Sequence, residues 1–263
     1  MASDIGGTLT YGKNIIPGFT CGVLNHLISM DIPVVLITGF NYHAARRYVR
    51  NLNEQITLIV QNGVLCEKRG RIIWELQIPK NEAEDIYRLL DRHKTPIIVY
   101  KGKEKDFKVL CKGRVYLKDR PSLTQVEEVR DFQGITGIST LVPNDRVEEI
   151  RSRIRASIQE KFQLILSGGT ELSWLEVTPP KARKDLALRK FCKEISIPMS
   201  DVIYFGDNYN DSDALHAVGS PVVMGNAVEE LKERFEVKAK SVYEEGVAQY
   251  LVQLFELQME KGM

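Results

Sequence analysis

Three short strand-like runs in this chain each end at a glycine with a polar residue close by. Ala2 to Ile5 carries Asp4 into Gly6-Gly7, Pro33 to Thr38 ends at Thr38-Gly39, and Val202 to Phe205 runs into Gly206-Asp207. Helical patterns separate the runs. Pro17 suits the first turn of a helix whose apolar face is Val23, Leu24, Leu27 and Ile28. Asn41 is placed to cap a second helix through Ala44, Ala45, Tyr48 and Val49. The run from Pro33 is too continuously apolar for a half-exposed strand, so a sheet covered on both faces is expected. This spacing of strand, helix, strand and helix predicts an α/β fold. Its sheet would be doubly wound and mainly parallel, with right-handed crossovers.

The alternation stops near Glu75. Lys80 to His93 reads as an amphipathic helix, Ile97 to Tyr100 as a strand, and Lys101 to Lys108 as an exposed charged turn. Phe107 to Cys111 and Arg114 to Leu117 read as two more strands. Val142 to Ile158 is expected to be helical, and Phe162 to Leu166 with Leu172 to Val177 to form a hairpin turning at Gly168-Gly169. After Pro179-Pro180 the first texture returns, with a helix over Ala182 to Ile195 and strands at Val202 to Phe205 and Pro221 to Met224. Val247, Leu251, Leu254 and Phe255 mark a closing helix. At about 150 residues per domain, 263 residues hold one to two domains. The layout predicts an α/β domain made of residues 1–78 and 180–263, interrupted by an inserted α+β domain at 79–179.

Lys and Arg number 36 against 35 Asp and Glu, a formal net charge of +1. Nucleic-acid and membrane-surface partners usually show as a basic excess, so neither is expected. No apolar run approaches the roughly 20 residues of a bilayer span. The opening Met-Ala-Ser-Asp-Ile-Gly-Gly has no basic stretch leading into an apolar one, and a cytoplasmic location is expected. Cys21, Cys66, Cys111 and Cys192 form no CxxC pair and read as buried free thiols. His26, His43, His93 and His216 lack metal-ligand spacing. Arg151, Arg153 and Arg155 spread around a helix as a solvated face, and Trp74 and Trp174 read as fillers of a core or a domain junction.

The chemistry sits at the ends of the core strands, where open parallel sheets bind ligands. Asp4 and Thr38 follow the first two strands, Lys184 opens the helix after the insert, and Asp207 and Asp211 flank the loop Gly206-Asp-Asn-Tyr-Asn-Asp211. Alone, each residue has a bland reading as turn, cap or solvated side chain. Together they form a coherent set. A carboxylate can accept a phosphoryl group, an acidic pair can hold Mg²⁺, and a hydroxyl with an ammonium can hold phosphoryl oxygens.

Ser3-Asp-Ile-Gly-Gly-Thr-Leu-Thr10, Ile37-Thr-Gly39, Lys184 with Ala187-Leu188, and Gly206-Asp-Asn-Tyr-Asn-Asp211 resemble, in order, the four motifs of the haloacid dehalogenase (HAD) superfamily phosphatases. Gln61-Asn-Gly63, Val223-Met-Gly-Asn-Ala227 and Glu245-Gly-Val247 resemble features of its Cof-type branch, which carries an inserted α/β cap. The resemblance implies a HAD-like, Rossmannoid core with a cap that sets substrate specificity. It makes Asp4 the nucleophile. Thr38, Gly39, Lys184 and Asn210 would bind phosphate, and Asp4, the Gly6 carbonyl, Asp207 and Asp211 would hold Mg²⁺. Asp211 would otherwise orient Lys184, and Asn210 would otherwise shape its loop.

Two positions depart from the family pattern. Gly6 stands where the family has an aspartate that protonates the leaving oxygen, and Phe40 where many relatives have arginine. Loss of an acid/base costs about 10² to 10⁴ in rate. Three readings of Gly6 stand side by side: an altered sequence, a natural loss leaving a phospholigand-binding protein, and a site that recruits its acid from the insert. The expected function is a Mg²⁺-dependent phosphomonoester hydrolase, impaired at Gly6, acting on a small phosphorylated metabolite such as a sugar phosphate. A homo-oligomer is compatible with the sequence. A receiver domain would be about half this length with its acidic pair ahead of the nucleophile, and a dinucleotide fold would need GxGxxG after the first strand.

Overall fold

A computed structural model describes residues 1–12, 15–92, 95–104, 106–109, 123–158, 161–168 and 171–257. His93, Cys111, Gly169 and the strand expected at Arg114 to Leu117 lie outside the described residues. The chain divides into two compact units, Met1–Trp74 with Arg183–Met263, and Glu75–Ala182.

In the first unit the elements are β1 (Ala2–Ser3), α1 (Gly18–Ser29), β2 (Val35–Ile37), α2 (Tyr42–Tyr48), β3 (Thr57–Val60), β4 (Leu65–Lys68) and β5 (Arg71–Glu75). The second unit holds α3 (Lys80–Asp91), β6 (Ile97–Tyr100), β7 (Asp106–Val109), β8 (Leu123–Val126), β9 (Gly137–Pro143), α4 (Val147–Ile158), β10 (Gln163–Gly168) and β11 (Leu172–Thr178). The chain then returns to the first unit with α5 (Lys184–Glu194), β12 (Ile203–Gly206), α6 (Ser212–Ala217), β13 (Ser220–Val223), α7 (Glu229–Arg234) and α8 (Gly246–Leu254).

Among the described residues, the strands of the first unit run in the order β13-β12-β1-β2-β3-β4-β5. β1 lies parallel to both β2 and β12, with Ala2 opposite Val35 and Tyr204. β2–β3 and β12–β13 are also parallel, and β4 turns back antiparallel on β3. The chain leaves β1 toward β2 and leaves β12 toward β13, so strand order reverses between β1 and β12. Right-handed crossovers running in opposite directions put α1 and α6 on opposite faces of the sheet. That reversal opens a crevice at the carboxyl ends of β1 and β12. The fold is α/β, with a mainly parallel, doubly wound sheet, as expected.

The second unit is mostly antiparallel, in the order β10-β11-β9-β6-β7-β8 among the described residues, with β7 and β8 parallel. Its helices bury one stripe each: Ala83, Ile86, Tyr87 and Leu90 on α3, and Val147, Ile150, Ile154 and Ile158 on α4. This is the three- and four-residue spacing of an amphipathic helix, and each large side chain contributes about 1.5–3 kcal/mol when buried. Both stripes join one core with Ile97, Val99, Ile138, Val142, Leu175 and Val177 from the sheet.

Two expectations need correction here. Val142 belongs to β9, not to a helix: a 3₁₀ turn at Asn144–Arg146 follows Pro143, and α4 begins only at Val147. β9 lies between β11 and β6, so its residues are buried on both faces and show no alternation. The segment Lys101 to Lys108 is not an exposed turn throughout, because Asp106 and Lys108 are buried in β7. Elsewhere the readings agree with the structure. Asn41 accepts from the Ala44 N–H at 2.8 Å as the cap of α2, and Pro17 immediately precedes α1. Arg153 pairs with Glu149 on the outer face of α4, whereas Arg151, paired with Glu148, is partly buried and departs from the solvated-face reading. Cys21, Cys66 and Cys192 are free and buried. Trp74 is buried and its indole N–H donates to the Gly63 carbonyl at 3.1 Å. Trp174 packs against Ile98 and Leu141. No helix among the described residues is long and apolar enough to cross a membrane.

Candidate active site

The first strand delivers Asp4 to the crevice. Its N–H donates to the Phe205 carbonyl at 2.9 Å, the last ladder bond before the chain leaves the sheet. The turn that follows folds back on itself, with the N–H groups of Leu9 and Thr10 both donating to the Ile5 carbonyl. Gly7 makes this turn possible in two ways. Its φ is +82°, and a Cβ there would lie 2.2 Å from Asp207 Oδ2. The turn also brings in Thr8, whose hydroxyl donates to Asp207 Oδ1 at 2.8 Å. Asn226 fastens it from the β13 side, donating to the Gly7 carbonyl at 2.8 Å while accepting from the Val242 N–H at 2.7 Å.

Asp211 is the hub of the opposite wall. Its Oδ1 accepts from Lys184 Nζ at 2.7 Å and from the Tyr204 hydroxyl at 2.6 Å. Its Oδ2 accepts the backbone N–H groups of Asp207 at 3.1 Å and Asn208 at 3.2 Å. This approach requires Gly206, where a Cβ would sit 2.6 Å from the Asp211 Cβ. Lys184, at the first position of α5, reaches across and donates to Asp4 Oδ1 at 2.6 Å. Asp4, Lys184 and Asp211 are all buried.

The second strand contributes Thr38 and Gly39. The Thr38 hydroxyl accepts from the Phe40 N–H at 3.2 Å, and its carbonyl accepts from the Asn62 N–H at 2.9 Å. Gln61 and Asn62 hold positive φ of 48° and 55°, which folds this segment against the end of β2. Asn62 Oδ1 accepts from Asn210 Nδ2 at 3.2 Å and lies 3.4 Å from where a Cβ at Gly39 would be. Thus Asn210 is tied to the Thr38–Gly39 loop through Asn62. Gly6 faces an aromatic ring: the atoms nearest a Cβ built there are Phe40 Cζ at 3.0 Å and Cε2 at 3.4 Å.

Every candidate residue therefore lies on the crevice edge. Asp4, Lys184, Asp207 and Asp211 form one connected cluster, and Thr38, Gly39 and Asn210 form a neighbouring one through Asn62. Four participants lie outside the sequence-derived set: Thr8, Asn62, Tyr204 and Asn226. Tyr204 sits within a buried strand and looks like core. Asn62 and Asn226 lie inside the Gln61-Asn-Gly63 and Val223-Met-Gly-Asn-Ala227 matches, so their signal was present without a role attached.

Carboxylate oxygens of Asp4, Asp207 and Asp211 lie within 4.8 Å of one another. Against three carboxylates the cluster has one ammonium, so it carries uncompensated negative charge. Burial, with added repulsion from Asp211 and Asp207, pushes the Asp4 carboxyl up to about 7 despite the nearby Lys184. Burial and Asp211 push Asp207 up to about 6. Burial alone would lower the Lys184 pKa, but Asp211 and Asp4 outweigh it and hold the ammonium above its ordinary value. A hard divalent cation with oxygen ligands suits this donor set.

A sequence profile of haloacid dehalogenase-like hydrolases matches residues 1–251. The chain is 26% identical over 237 residues to an HMP-PP phosphatase of Serratia proteamaculans, covering 88% of this chain and 85% of the relative. It is 25% identical over 288 residues to phosphatase YwpJ of Bacillus subtilis, covering 97% and 99%. A haloacid dehalogenase-like hydrolase from Bacteroides thetaiotaomicron superposes with a TM-score of 0.84 at 21% identity, covering 97% of this chain and 98% of that one. The profile match over residues 1–251 and the motif order agree: this chain belongs to the haloacid dehalogenase-like hydrolase family.

Proposed function

We propose that the chain is a Mg²⁺-dependent phosphatase that transfers the phosphoryl group of a small phosphorylated metabolite, such as a sugar phosphate, to Asp4. The observation that carries this reading is the placement of one buried carboxylate, Asp4, between the Lys184 ammonium and the carboxylate of Asp207. Its relatives named as phosphatases support it. Asp4 and Asp207 would hold the ion, with the Gly6 carbonyl as a further oxygen donor. Mg²⁺, when bound, offsets repulsion between the Asp4 carboxylate and an anionic substrate.

The four hydrogen bonds at Asp211 leave it best suited to orienting Lys184 and fixing the Asp207 loop. Lys184 opposes the burial that disfavours the Asp4 carboxylate and neutralises phosphoryl charge, and Thr38 with the Gly39 N–H offers further donors for phosphoryl oxygens. An Asp4 oxygen attacks phosphorus as the bond to the leaving oxygen breaks, giving an aspartyl-phosphate. Water then attacks that phosphorus, releasing phosphate and restoring the carboxylate. The insert at 79–179 supplies substrate specificity, and the reaction belongs to the cytoplasm.

Gly6 favours a second reading, a phospholigand-binding protein without turnover. Phosphate release from p-nitrophenyl phosphate with MgCl₂, measured beside calorimetric binding of inorganic phosphate, separates the two. The phosphatase reading expects Mg²⁺-dependent release that Asp4→Asn abolishes. Phosphate binding with no release by the unaltered chain supports the second reading, and release that survives Asp4→Asn overturns the first.

A further inference from the structure

We propose that Gly6 and Phe40 are a single exchange. The Phe40 ring takes the space beside position 6, and the site thereby turns over phosphoryl donors whose leaving oxygen departs without a proton. Aryl phosphates, acyl phosphates and phosphoanhydrides form that class. The inference rests on the phosphatase reading and extends it from the reaction to the substrate.

Gly6 has no side chain to donate a proton. Glycine alone would leave a gap, and a water in that gap could protonate the leaving oxygen in place of a side chain. Phe40 closes this route. The three atoms nearest a Cβ at Gly6 are all carbons of its ring, at 3.0, 3.4 and 3.8 Å. Apolar carbons offer a water no hydrogen-bond partner, and a water needs about two to four of them to be held.

The ring is itself held. It stacks on Tyr48 with centroids 4.9 Å apart and planes 8° from parallel. The Phe40 N–H donates to the Thr38 hydroxyl at 3.2 Å, and its carbonyl accepts from Gln61 N–H at 2.9 Å. The neighbouring carboxyls already have work. Asp4 is the proposed nucleophile paired with Lys184, Asp207 accepts from Thr8, and Asp211 accepts four hydrogen bonds.

The step balances without an acid. An Asp4 carboxylate oxygen forms the bond to phosphorus, and the electron pair of the breaking bond leaves on the departing oxygen as a phenolate, carboxylate or phosphate. An alkoxide cannot leave this way at a comparable rate, because it is far more basic. Hydrolysis of the aspartyl-phosphate then returns the carboxylate and dihydrogen phosphate, both water protons leaving with the phosphate.

This geometry changes what Gly6→Asp should do. Sequence considerations alone suggest that it restores a rate on the order of 10² on alkyl phosphates. With Phe40 in place, the new Cβ meets the ring at 3.0 Å and the ring must yield to it, so the full gain is expected only when the ring is removed as well.

The test is kcat/KM for the unaltered chain, Gly6→Asp, Phe40→Ala, Phe40→Leu and the double variant Gly6→Asp/Phe40→Ala. The probes are p-nitrophenyl phosphate, phenyl phosphate, acetyl phosphate and glycerol phosphate, with MgCl₂-dependent thermal shifts to verify each fold. The unaltered chain should prefer p-nitrophenyl over glycerol phosphate by about 10² or more. Phe40→Ala, by admitting water, should shrink that preference about tenfold, and Phe40→Leu, which keeps the space apolar, should shrink it less. Gly6→Asp alone should gain under about tenfold on glycerol phosphate, and the double variant about 10² or more. A preference that is flat across the four donors, or Gly6→Asp matching the double variant, overturns the inference while leaving the phosphatase reading intact. No release from any donor by any of the variants overturns both.

Discussion

At the scale of single residues, the site is built by side chains that are absent as much as by those present. Gly7 is required twice, by its positive φ and by the carboxylate of Asp207 lying where its Cβ would go. Gly7→Ala is therefore expected to cost about 1–3 kcal/mol through backbone strain. By displacing Asp207 it should also weaken Mg²⁺ binding about 10–100-fold, the range seen when supports of a metal ligand are lost. Urea midpoints with and without MgCl₂ check both, and an unchanged metal affinity would separate Gly7 from the proposed ion site. Neighbours in the same loop should differ sharply. Asn208 accepts from the Tyr209 N–H and caps a turn, whereas Asp207 presents its carboxylate to the cluster. Asp207→Asn should weaken Mg²⁺ binding far more than Asn208→Ala, as read by metal titration. Equal losses would reassign the loop to a structural role.

At the scale of elements, what was legible in the sequence followed from periodicity and punctuation. α1, α2 and α5 announce themselves through Pro17, Asn41 and the apolar spacing behind them, and β1, β2 and β12 through the glycines that end them. β3, β4 and β5 are less visible. Thr57–Val60 and Leu65–Lys68 are short runs joined by Gln61-Asn-Gly63, whose left-handed backbone only the tertiary structure requires. β9 was hidden for a different reason. A central strand buried on both faces has no alternation, and its tail, Val142 and Pro143, merges in sequence with the helical pattern that follows. The placement of the candidate site residues was more legible than the architecture of the insert, since the ends of parallel strands gather them at one sheet edge. The apolar stripe of α4 can be tested directly. Ile150 is fully buried in the insert's core while Arg153 pairs with Glu149 on the outer face. Ile150→Ala should cost about 2–5 kcal/mol, and Arg153→Ala less than about 1 kcal/mol, both read from urea unfolding. Similar costs would place the apolar stripe of α4 elsewhere.

At the scale of the whole molecule, a formal charge of +1 leaves little long-range field, so the electrostatics that matter are local. They gather in the cluster of Asp4, Asp207, Asp211 and Lys184. Asp4 titrates near 7 and Asp207 near 6 because burial, reinforced by neighbouring carboxylates, penalises their charged forms. In the unfolded chain both titrate near 3.8. Below that value both carboxyls are protonated in both states and add no pH dependence. As pH rises from about 4 to about 7, the unfolded chain binds fewer protons than the folded one, so stability falls. Asp106, buried in the insert and pushed up to about 7, adds a loss of the same sign. Mg²⁺ competes with protons for the carboxylates of Asp4 and Asp207, so its stabilising effect should grow over the same window. The expected outcome is a Tm in EDTA that drops between pH 5 and pH 7.5, with a MgCl₂-induced rise that is small at the lower pH and larger at the higher. Asp4→Asn with Asp207→Asn should remove the Mg²⁺ rise at every pH and part of the drop in EDTA, leaving the share of Asp106. A Mg²⁺ effect independent of pH, or one that survives in the double variant, would move the ion away from these two carboxylates.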